Sequence, residues 1–485
     1  MWYLWPGRCA QRSIHDVNAA RLAELLGEWR RDGPAGDRLA ATVRALVLDG
    51  RVPLQTQMPA ERALAASLGL SRATVTRAYE RLRSEGYLAS RQGSGSWVTI
   101  PGGHRAATDT PVMDGALDLR IAALPAPAGL DELAAVAAAR LPRWFDHHGY
   151  DPLGLPPLRE AIAARFTARG LPTTADQILV TNGALQALDL SIRALLTPGR
   201  TVLTEIPSYP AALDALHAAR ARIRTVPVTA DGWNLDVLEG VASEHKPDLA
   251  YLIPDFHNPT GVLMNADARQ RATRALSASG TYLVIDESFV ELGLDGVREL
   301  PMASLGHDPR TITIGSLGKS VWGGLRIGWA RASAALVQRL AVVRARIDLA
   351  SPVLEQLLAV EVFAHLEEMV ADRCRLIRPR LAALMAALDK QLPQWKYPQP
   401  AGGLCLWVQL PDRQSTSLAV RALEHGVALT PGPRFGAAGL LERYLRIPYS
   451  SAPDQLERVV STLAQISPET SEPANSPEPA LRYVA

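Results

Sequence analysis

Lys319 and the residues around it carry the groups that a phosphorylated aldehyde needs. The chain has only four lysines among its 485 residues, and most of its basic positions are Arg. A lysine amine can lose its proton and condense with an aldehyde, whereas an arginine guanidinium stays protonated in proteins. Ser316 and Arg326 add a hydroxyl and a cation on either side. The set predicts a site for pyridoxal 5′-phosphate, although a Ser-x-x-Lys spacing alone is more often an exposed turn.

Three more segments supply groups that the same cofactor requires. Gly183, Ala184 and Leu185 open a predicted helix after a predicted strand. The N–H groups at a helix N-terminus can bind a phosphate, and small residues let it approach. Tyr209 can stack on a pyridine ring, and the Asn258 amide can bond the ring's 3′-oxygen at the end of a predicted strand.

Two charged residues complete the predicted site. Asp286 ends an apolar run and can pair with a protonated pyridine nitrogen, which keeps the ring an electron sink. Arg446 can hold a substrate carboxylate through two parallel hydrogen bonds. Taken singly, such an aspartate is more often a helix cap, such an arginine a surface ion pair, and such a tyrosine a core residue. Their order along the chain favours the site.

The length and composition indicate several domains of an ordinary globular protein. A chain of 485 residues exceeds what one core organises, and 47% hydrophobic with 21% charged residues is typical of soluble proteins. The predicted segments are an N-terminal extension (1–36), a DNA-binding domain (37–100), a linker (101–116), a large domain (117–466) and a disordered tail (467–485).

The cysteines and the hydropathy indicate a cytoplasmic protein. Three widely spaced cysteines cannot form a disulfide framework or, by themselves, a metal site. No apolar run approaches the roughly 18 residues that a membrane helix needs. We therefore expect a reducing cytoplasm, with no metal and no membrane partner.

The large domain alternates apolar β-branched runs with helical runs. Residues 201–204, 249–253, 281–285 and 311–314 are examples of the β-branched runs. This alternation predicts crossover units and a largely parallel, buried sheet, that is, an α/β fold.

The region before the linker predicts a helix-turn-helix. Helical patterns cover residues 37–49, 60–68 and 72–85, and Ser71 is well placed as the N-cap of the third helix. Three residues around Gly69 join the second and third helices, and the third would enter a major groove N-terminus first. Residues 87–98 then predict a hairpin with glycines at its turn.

The charge of this region favours DNA as its partner. Residues 39–98 carry eight arginines and four acidic residues, more net positive charge than the +2 of the whole chain. Arginines on a groove-facing helix contact phosphates and guanine edges, although a solvated helix face is the alternative explanation. The residues that we predict to contact DNA are Arg62, Ser71, Arg72, Thr74, Arg77, Arg91 and Gly93.

Residues 57–87 closely resemble the GntR-type winged helix. Their sequence runs Gln-Met-Pro-Ala-Glu-Arg-Ala-Leu-Ala-Ala-Ser-Leu-Gly-Leu-Ser-Arg-Ala-Thr-Val-Thr-Arg-Ala-Tyr-Glu-Arg-Leu-Arg-Ser-Glu-Gly-Tyr. The resemblance implies that Arg62, Ser71, Arg72 and Thr74, with a wing around Gly93, lie against DNA.

The order of site residues from Gly183 to Arg446 resembles the fold-type I, class I aminotransferases. The segments Asn-Pro-Thr-Gly at 258–261 and Gly-Leu-Arg-Ile-Gly-Trp at 324–329 are specific to that pattern. The resemblance implies that Lys319 binds the cofactor covalently and that Asp286 pairs with its ring nitrogen. It also implies that Ser316, Arg326 and residues 183–185 surround the phosphate. Tyr150 would reach across from the partner subunit of a homodimer.

Phe289 departs from the family pattern. The family usually has Tyr three residues after the aspartate, and its hydroxyl donates to the cofactor's 3′-oxygen. Losing that donor raises the pKa of the cofactor–lysine imine and makes its neutral form scarcer. We interpret Phe289 as unfavourable for efficient transamination.

A winged helix followed by an aminotransferase-like domain resembles the MocR subfamily of bacterial transcription regulators. The resemblance implies a dimeric regulator that senses pyridoxal phosphate or an amine or amino-acid effector. The alternative is an active aminotransferase with an accessory DNA-binding module. A third possibility, a cofactor-free scaffold, is disfavoured because Lys319 and Asp286 are both present.

Overall fold

The computed structural model describes residues 17–30, 33–54, 56–91, 95–99, 116–306, 308–436 and 440–467. These residues form two compact units. The first contains the described residues up to Asp118, those between Leu410 and Leu445 and those from Gln465 onward, and the second contains the described residues of Leu119–Gln409 and Arg446–Ala464. Within the described residues, no helix is long and apolar enough to span a membrane.

The helices are α1 (Ala19–Leu26), α2 (Ala35–Leu48), α3 (Glu61–Leu68), α4 (Arg72–Ser84), α5 (Leu130–Arg140), α6 (Pro156–Ala168), α7 (Ala184–Leu195), α8 (Pro210–Ala218), α9 (Leu235–His245), α10 (Ala266–Ala278), α11 (Leu317–Ser320), α12 (Ala334–Arg344), α13 (Val353–Ala364), α14 (Leu366–Gln391), α15 (Ser415–Glu424) and α16 (Pro453–Ile466).

The strands are β1 (Leu88–Arg91), β2 (Gly95–Val98), β3 (Leu117–Asp118), β4 (Ile178–Thr181), β5 (Thr201–Ile206), β6 (Arg222–Thr229), β7 (Gly232–Trp233), β8 (Leu249–Leu252), β9 (Tyr282–Asp286), β10 (Thr311–Ser316), β11 (Gly328–Arg331), β12 (Cys405–Gln409), β13 (Val427–Ala428), β14 (Thr430–Pro431) and β15 (Tyr444–Pro448).

Helices α3 and α4 form the predicted helix-turn-helix. Gly69 caps α3 with a left-handed backbone (φ 59°), which glycine adopts without steric cost. Ser71 caps α4, because its hydroxyl accepts a hydrogen bond from the Thr74 N–H at 3.1 Å. The Tyr79 hydroxyl donates to the Pro59 carbonyl at 2.8 Å and so ties α4 to the start of α3. Strands β1 and β2 pair antiparallel as the predicted hairpin, with Leu88 opposite Val98.

Helix α1 belongs to the core of this winged helix. Residues 1–36 were expected to form an extension, with helix-like sequence at 19–31. In the structure α1 ends at Leu26, and its buried leucines join the hydrophobic cluster that α2, α3 and α4 share. Trp29, which follows α1, is also buried in that cluster. The winged helix therefore has an additional N-terminal helix as part of its core.

A C-terminal segment packs in the same compact unit as the winged helix. In this unit Arg38 pairs with Glu424 of α15 at 3.2 Å. Arg51 donates to the Thr416 hydroxyl at 3.1 Å and lies 3.9 Å from the buried Glu442 carboxylate. Strands β3 and β13 also pair, in parallel. The region 410–445, which the sequence assigned to the large domain, thus contacts the DNA-binding helices.

The second unit contains the predicted parallel sheet. Its strand order is β4-β11-β10-β9-β8-β5-β6-β7. Neighbouring strands from β10 to β6 run parallel, while β11 runs antiparallel to β10 and β4. Successive residues of a strand pack into different hydrophobic clusters, as Leu179 and Val180 of β4 do. The sheet is therefore covered on both faces, as an α/β fold requires.

A substitution in α1 tests whether this helix belongs to the winged-helix core. The Leu26 side chain is fully buried. Leu26→Ala should lower the free energy of unfolding of this unit by about 2–5 kcal/mol, because it leaves a cavity. The exposed Leu54 provides the matched control, for which Leu→Ala should cost less than about 0.5 kcal/mol. Scanning calorimetry measures both, and equal unfolding temperatures for the two variants would show that α1 is dispensable.

Candidate functional site

The predicted cofactor residues follow the carboxyl ends of adjacent parallel strands. Asp286 ends β9, Ser316 ends β10, and Asn258 lies six residues beyond β8. Ser316 also caps the short helix α11, since its hydroxyl accepts from the Gly318 N–H at 2.9 Å and donates to the Ile327 carbonyl at 3.0 Å. The carboxyl ends of parallel strands are where open α/β sheets bind ligands.

The Lys319 amine is prepared for condensation with an aldehyde. Its Nζ donates to the Ala122 carbonyl at 2.7 Å and lies 5.7 Å from the centroid of the Phe289 ring. Burial is the main cause that lowers the pKa of Lys319 from 10.5 to about 8. The positive charges of Arg446 and Arg326 act in the same direction. A large fraction of this amine is therefore neutral, and hence nucleophilic, at mildly alkaline pH.

The Asp286 carboxylate is buried between two hydrogen-bond donors. It accepts from the Tyr251 hydroxyl at 2.6 Å and from the Ser288 N–H at 2.9 Å. Burial raises the pKa of Asp286, and these two donors oppose that rise. In the part of the chain that the structure describes, Asp286 forms no ion pair. A buried acid of this kind suits a cationic ring such as a protonated pyridine.

The structure shows Tyr251 as a site residue that the sequence alone did not identify. Tyr251 is fully buried in β8, and its hydroxyl donates a hydrogen bond that orients the Asp286 carboxylate. Its signal in the sequence was a phenol within a short apolar run. Buried tyrosines usually find a partner for the hydroxyl, but the sequence does not say which partner.

The predicted phosphate-binding residues lie together at the start of α7. Gly183 precedes this helix with φ 93°, and a Cβ added there would lie 3.0 Å from a terminal nitrogen of Arg326. The Arg326 guanidinium donates to the Asn182 carbonyl at 2.7 Å. A Cβ added at Gly328 would lie 2.8 Å from the Ala184 nitrogen, so Gly328 also keeps this helix N-terminus open.

Arg446 and Asn258 meet in the same region. Both are buried, and an Arg446 Nη1 lies 3.4 Å from the Asn258 Oδ1. The other terminal nitrogen of Arg446 donates to the Arg120 carbonyl. The structure thus brings the predicted carboxylate-binding cation and the predicted ring-binding amide together.

The structure does not test the predicted roles of three cofactor residues. Tyr209 immediately precedes α8 and is half-buried against the sheet. Leu185 in the first turn of α7 is exposed, and Tyr150 is exposed next to His148, with 5.9 Å between ring centroids. Their roles stay predictions.

The residues of the second unit fit pyridoxal phosphate. Its aldehyde needs an amine such as that of Lys319, whose pKa is lowered, and its ring nitrogen needs a buried acid such as Asp286, which forms no ion pair in the described residues. A helix N-terminus without obstructing side chains, beside Arg326, suits its phosphate.

The predicted DNA-contacting residues are on the outside of the helix-turn-helix. Arg62 on α3 is exposed, as are Ser71, Arg72 and Arg77 at the start of α4, and Thr74 is half-buried. The side chain of Arg72 is 74% exposed and only 3.8 Å from Glu61. The side chain of Arg91 and residue Gly93 lie outside the described residues.

Other arginines of α4 have a structural role instead. Arg81 bonds Asp37 at 2.7 Å and Glu85 at 2.9 Å, which ties α4 to α2. Arg83 lies 3.3 Å from Glu61 on α3. Arg81 and Arg83, near the C-terminal end of α4, thus form ion pairs within this unit, whereas Arg72 and Arg77, nearer its N-terminal end, are exposed.

Two protein families match the chain. Residues 142–463 match aminotransferase class I and II, and residues 35–98 match the gntR family of bacterial regulatory proteins. The transcriptional regulator TauR of Rhodobacter capsulatus is 27% identical over 89% of this chain and 97% of its own length. The probable rhizopine catabolism regulatory protein MocR of Rhizobium meliloti is 31% identical over 61% of this chain and 65% of its own length. The chain belongs to the MocR-type transcription regulators.

The large domain of this MocR-type regulator is also similar to enzymes. A 2-aminoadipate transaminase of Thermus thermophilus is 36% identical over 68% of this chain and 84% of its own length. The solved α-aminoadipate aminotransferase of the same species, complexed with N-(5′-phosphopyridoxyl)-L-leucine, superposes with a TM-score of 0.68. It is 34% identical over 74% of this chain and 94% of the other. The domain is thus of the pyridoxal phosphate-dependent type.

The lowered pKa of Lys319 predicts the pH dependence of cofactor capture. The amine must be neutral to attack an aldehyde, and it becomes neutral as the pH rises through about 8. The rate at which the protein captures pyridoxal phosphate, followed by absorbance, should rise up to about pH 8 and level off above it. Nα-acetyl-lysine provides the control and should still gain rate well above about pH 9. A protein profile that follows this control would contradict the lowered pKa.

Phe289→Tyr tests the missing hydroxyl. A phenol at this position, beside the Lys319 amine, would donate to the cofactor's 3′-oxygen. The midpoint of the pH titration of the bound cofactor's absorbance should then fall by about one pH unit or more. Phe289→Leu, which removes the ring without adding a donor, provides the control. An unchanged midpoint in the Tyr variant would show that residue 289 does not control the cofactor.

Proposed function

We propose that this regulator binds DNA as a cytoplasmic homodimer and that its aminotransferase-like domain senses pyridoxal phosphate or an amine or amino-acid effector. The observation that carries the proposal is the Asp286 carboxyl group, which is buried and forms no ion pair in the described residues, near a lysine whose pKa burial lowers. A scaffold that had lost the cofactor would have no reason to bear the cost of burying that charge. The same chain presents exposed arginines on a helix-turn-helix.

Each site residue has a separate task in this proposal. Lys319 would hold the aldehyde, Asp286 would keep the ring nitrogen protonated, and Arg326 with residues 183–185 would hold the phosphate. When bound, pyridoxal phosphate supplies an electrophilic carbon that reacts with primary amines. Arg446 would hold the carboxylate of an incoming amino acid and thereby orient its amine.

The regulatory role requires that the ligand distinguish two states of the protein. A ligand shifts DNA affinity only as far as its own affinity differs between the two states. The first unit supplies a route, since Glu442 beside Arg51 of the winged helix lies only four residues before Arg446. The short strand β15 thus starts near a contact of the DNA-binding helices and ends beyond the predicted effector residue.

The second candidate function is an aminotransferase with an accessory DNA-binding module. The burial of Arg446 beside Asn258 supports it, because this is the arrangement that an amino-acid substrate needs. Phe289 opposes it, since the ring beside Lys319 cannot donate a hydrogen bond to the cofactor. Turnover assays with amino donors and keto acids would separate the two candidates.

A homodimer is part of the proposal because of Tyr150. Its side chain is 61% exposed in the single chain. Single exposed hydrophobic residues are common on protein surfaces, so the support for this role is the resemblance to class I aminotransferases. We propose that it reaches the cofactor's phosphate in the partner subunit.

The DNA-binding role is tested by Arg72→Ala. Arg72 is the exposed first residue of α4, so its loss should weaken binding to DNA from upstream of its own gene by about tenfold or more. Arg21→Ala provides the control, because it removes the same charge from an exposed position on α1, outside the helix-turn-helix, where Arg21 pairs with Glu24. Fluorescence anisotropy with and without pyridoxal phosphate measures both. An equal loss in the two variants would mean that net charge alone explains the weaker binding. If the parent protein binds this DNA no better than random DNA, the aminotransferase candidate is favoured instead.

A further inference from the structure

The segment Leu119–Pro125, which we call the strap, passes over the two predicted ligand-binding cations. The Arg120 carbonyl accepts a hydrogen bond from the Arg446 guanidinium. The Ala122 carbonyl accepts one from the Lys319 amine at 2.7 Å. Two carbonyls of one short segment therefore occupy the groups that an amino acid and a cofactor would use.

The far end of the strap is anchored by a third cation. Arg373 of α14 is buried and donates to the Pro125 carbonyl at 2.5 Å and to the Val321 carbonyl at 2.6 Å. Arg373 is not among the predicted ligand-binding residues. The bond at Pro125 therefore does not involve a ligand-binding group, whereas the bonds at Arg120 and Ala122 do.

We propose that the strap is an internal competitor of the effector, and that an amine releases it from Arg446 only if it also carries a carboxylate. Covalent attachment of the cofactor to Lys319 would remove the donor that holds Ala122, but an amine that takes over the aldehyde would return the Lys319 amine, so the contact with Ala122 does not distinguish one amine from another. The carboxylate of the effector then removes Arg446 from Arg120, because a guanidinium binds a carboxylate more strongly than a neutral carbonyl. An amine without a carboxylate leaves the bond between Arg446 and Arg120 in place.

The position of the strap gives its release a consequence for the DNA-binding domain. The chain passes from the first compact unit to the second between Asp118 and Leu119, and again between Leu445 and Arg446. The bond from Arg446 to Arg120 therefore joins two of the points at which the chain changes unit. The strap also follows closely on the predicted linker 101–116. This inference deepens the proposed function, and it depends on that proposal for the identity of the ligand site.

Trypsin provides a direct measurement, because Arg120 lies within the strap. Cleavage after Arg120 requires the strap to leave its position, and its rate follows the population of the open form. The full-length protein is digested briefly, and mass spectrometry follows the fragment that begins at Ile121. In protein freed of its cofactor, Lys319→Met and Arg446→Met should each raise this rate about tenfold above that of the cofactor-free parent, as expected for the loss of one charge-assisted hydrogen bond.

Arg339→Met is the matched control for these variants. Arg339 also donates to a main-chain carbonyl, that of Ala194 at 2.5 Å, but it does not contact the strap. This variant should be cleaved after Arg120 at the parent rate. Parent-like rates in both strap variants would overturn the proposal, and circular dichroism would identify a variant that is faster only because it is unfolded.

A second arm uses the unaltered protein and two ligands that differ only in the carboxylate. The holoprotein is treated with L-leucine or with 3-methylbutylamine, each at a concentration that gives the same change in cofactor absorbance. Both ligands return the Lys319 amine, so leucine should raise the rate of cleavage after Arg120 about tenfold above the rate with 3-methylbutylamine, because only leucine competes for Arg446. The amine should not raise the rate above that of the holoprotein. Equal rates with the two ligands would overturn the carboxylate requirement.

DNA binding is measured in parallel on the same samples, so the two proposals can fail separately. Release of the strap without a change in DNA affinity would retain the strap and contradict the sensing role. A change in DNA affinity with leucine, while cleavage after Arg120 stays constant, would retain the sensor and overturn the strap.

Discussion

The candidate cofactor site depends on burying a carboxylate at the end of a parallel strand. The sheet brings Asp286 to the edge where β9 ends, and burial there is costly unless donors and a cation compensate it. Tyr251 and the Ser288 N–H supply the donors, and the cation is the part that a pyridine ring would provide. The same burial lowers the pKa of Lys319, because a charged amine is disfavoured where water is excluded. One environment thus prepares both an acid and an amine for one cofactor.

The winged helix uses the same residue type for two purposes. Arg81 and Arg83 form ion pairs that fix the packing of α4, whereas Arg72 and Arg77 remain exposed at the other end of that helix. Glu61 is central to this division, since it accepts from the Thr76 hydroxyl and lies near both Arg83 and Arg72. Acidic residues placed on α2, on α3 and at the end of α4 therefore decide which arginines are available to a phosphate backbone.

The contact between Arg51 and Glu442 connects the winged helix with the C-terminal segment of the same unit. Glu442 is held by the Thr416 N–H at 3.0 Å and by the Thr416 hydroxyl at 2.6 Å, so its position depends on the start of α15. A buried carboxylate with these bonds does not move without cost. Glu442 therefore fixes the position of Arg51 in the unit that contains the winged helix.

Local patterns in the sequence were enough to predict the order and type of most elements and to name most residues of the candidate site. Gly69 marks the turn, Ser71 marks the helix cap, and β-branched runs mark the buried strands, and all of these signals act over a few residues. The helix bounds of the winged helix agree with the structure to within about two residues, the usual uncertainty of helix ends. Tertiary folding, in contrast, decided that α1 joins the winged-helix core, that Tyr251 supports Asp286, and that the strap carbonyls meet Lys319 and Arg446. The bonds of Tyr251 and of Arg446 join residues 35 and 326 positions apart, so they depend on how the chain folds back on itself, which no local pattern encodes.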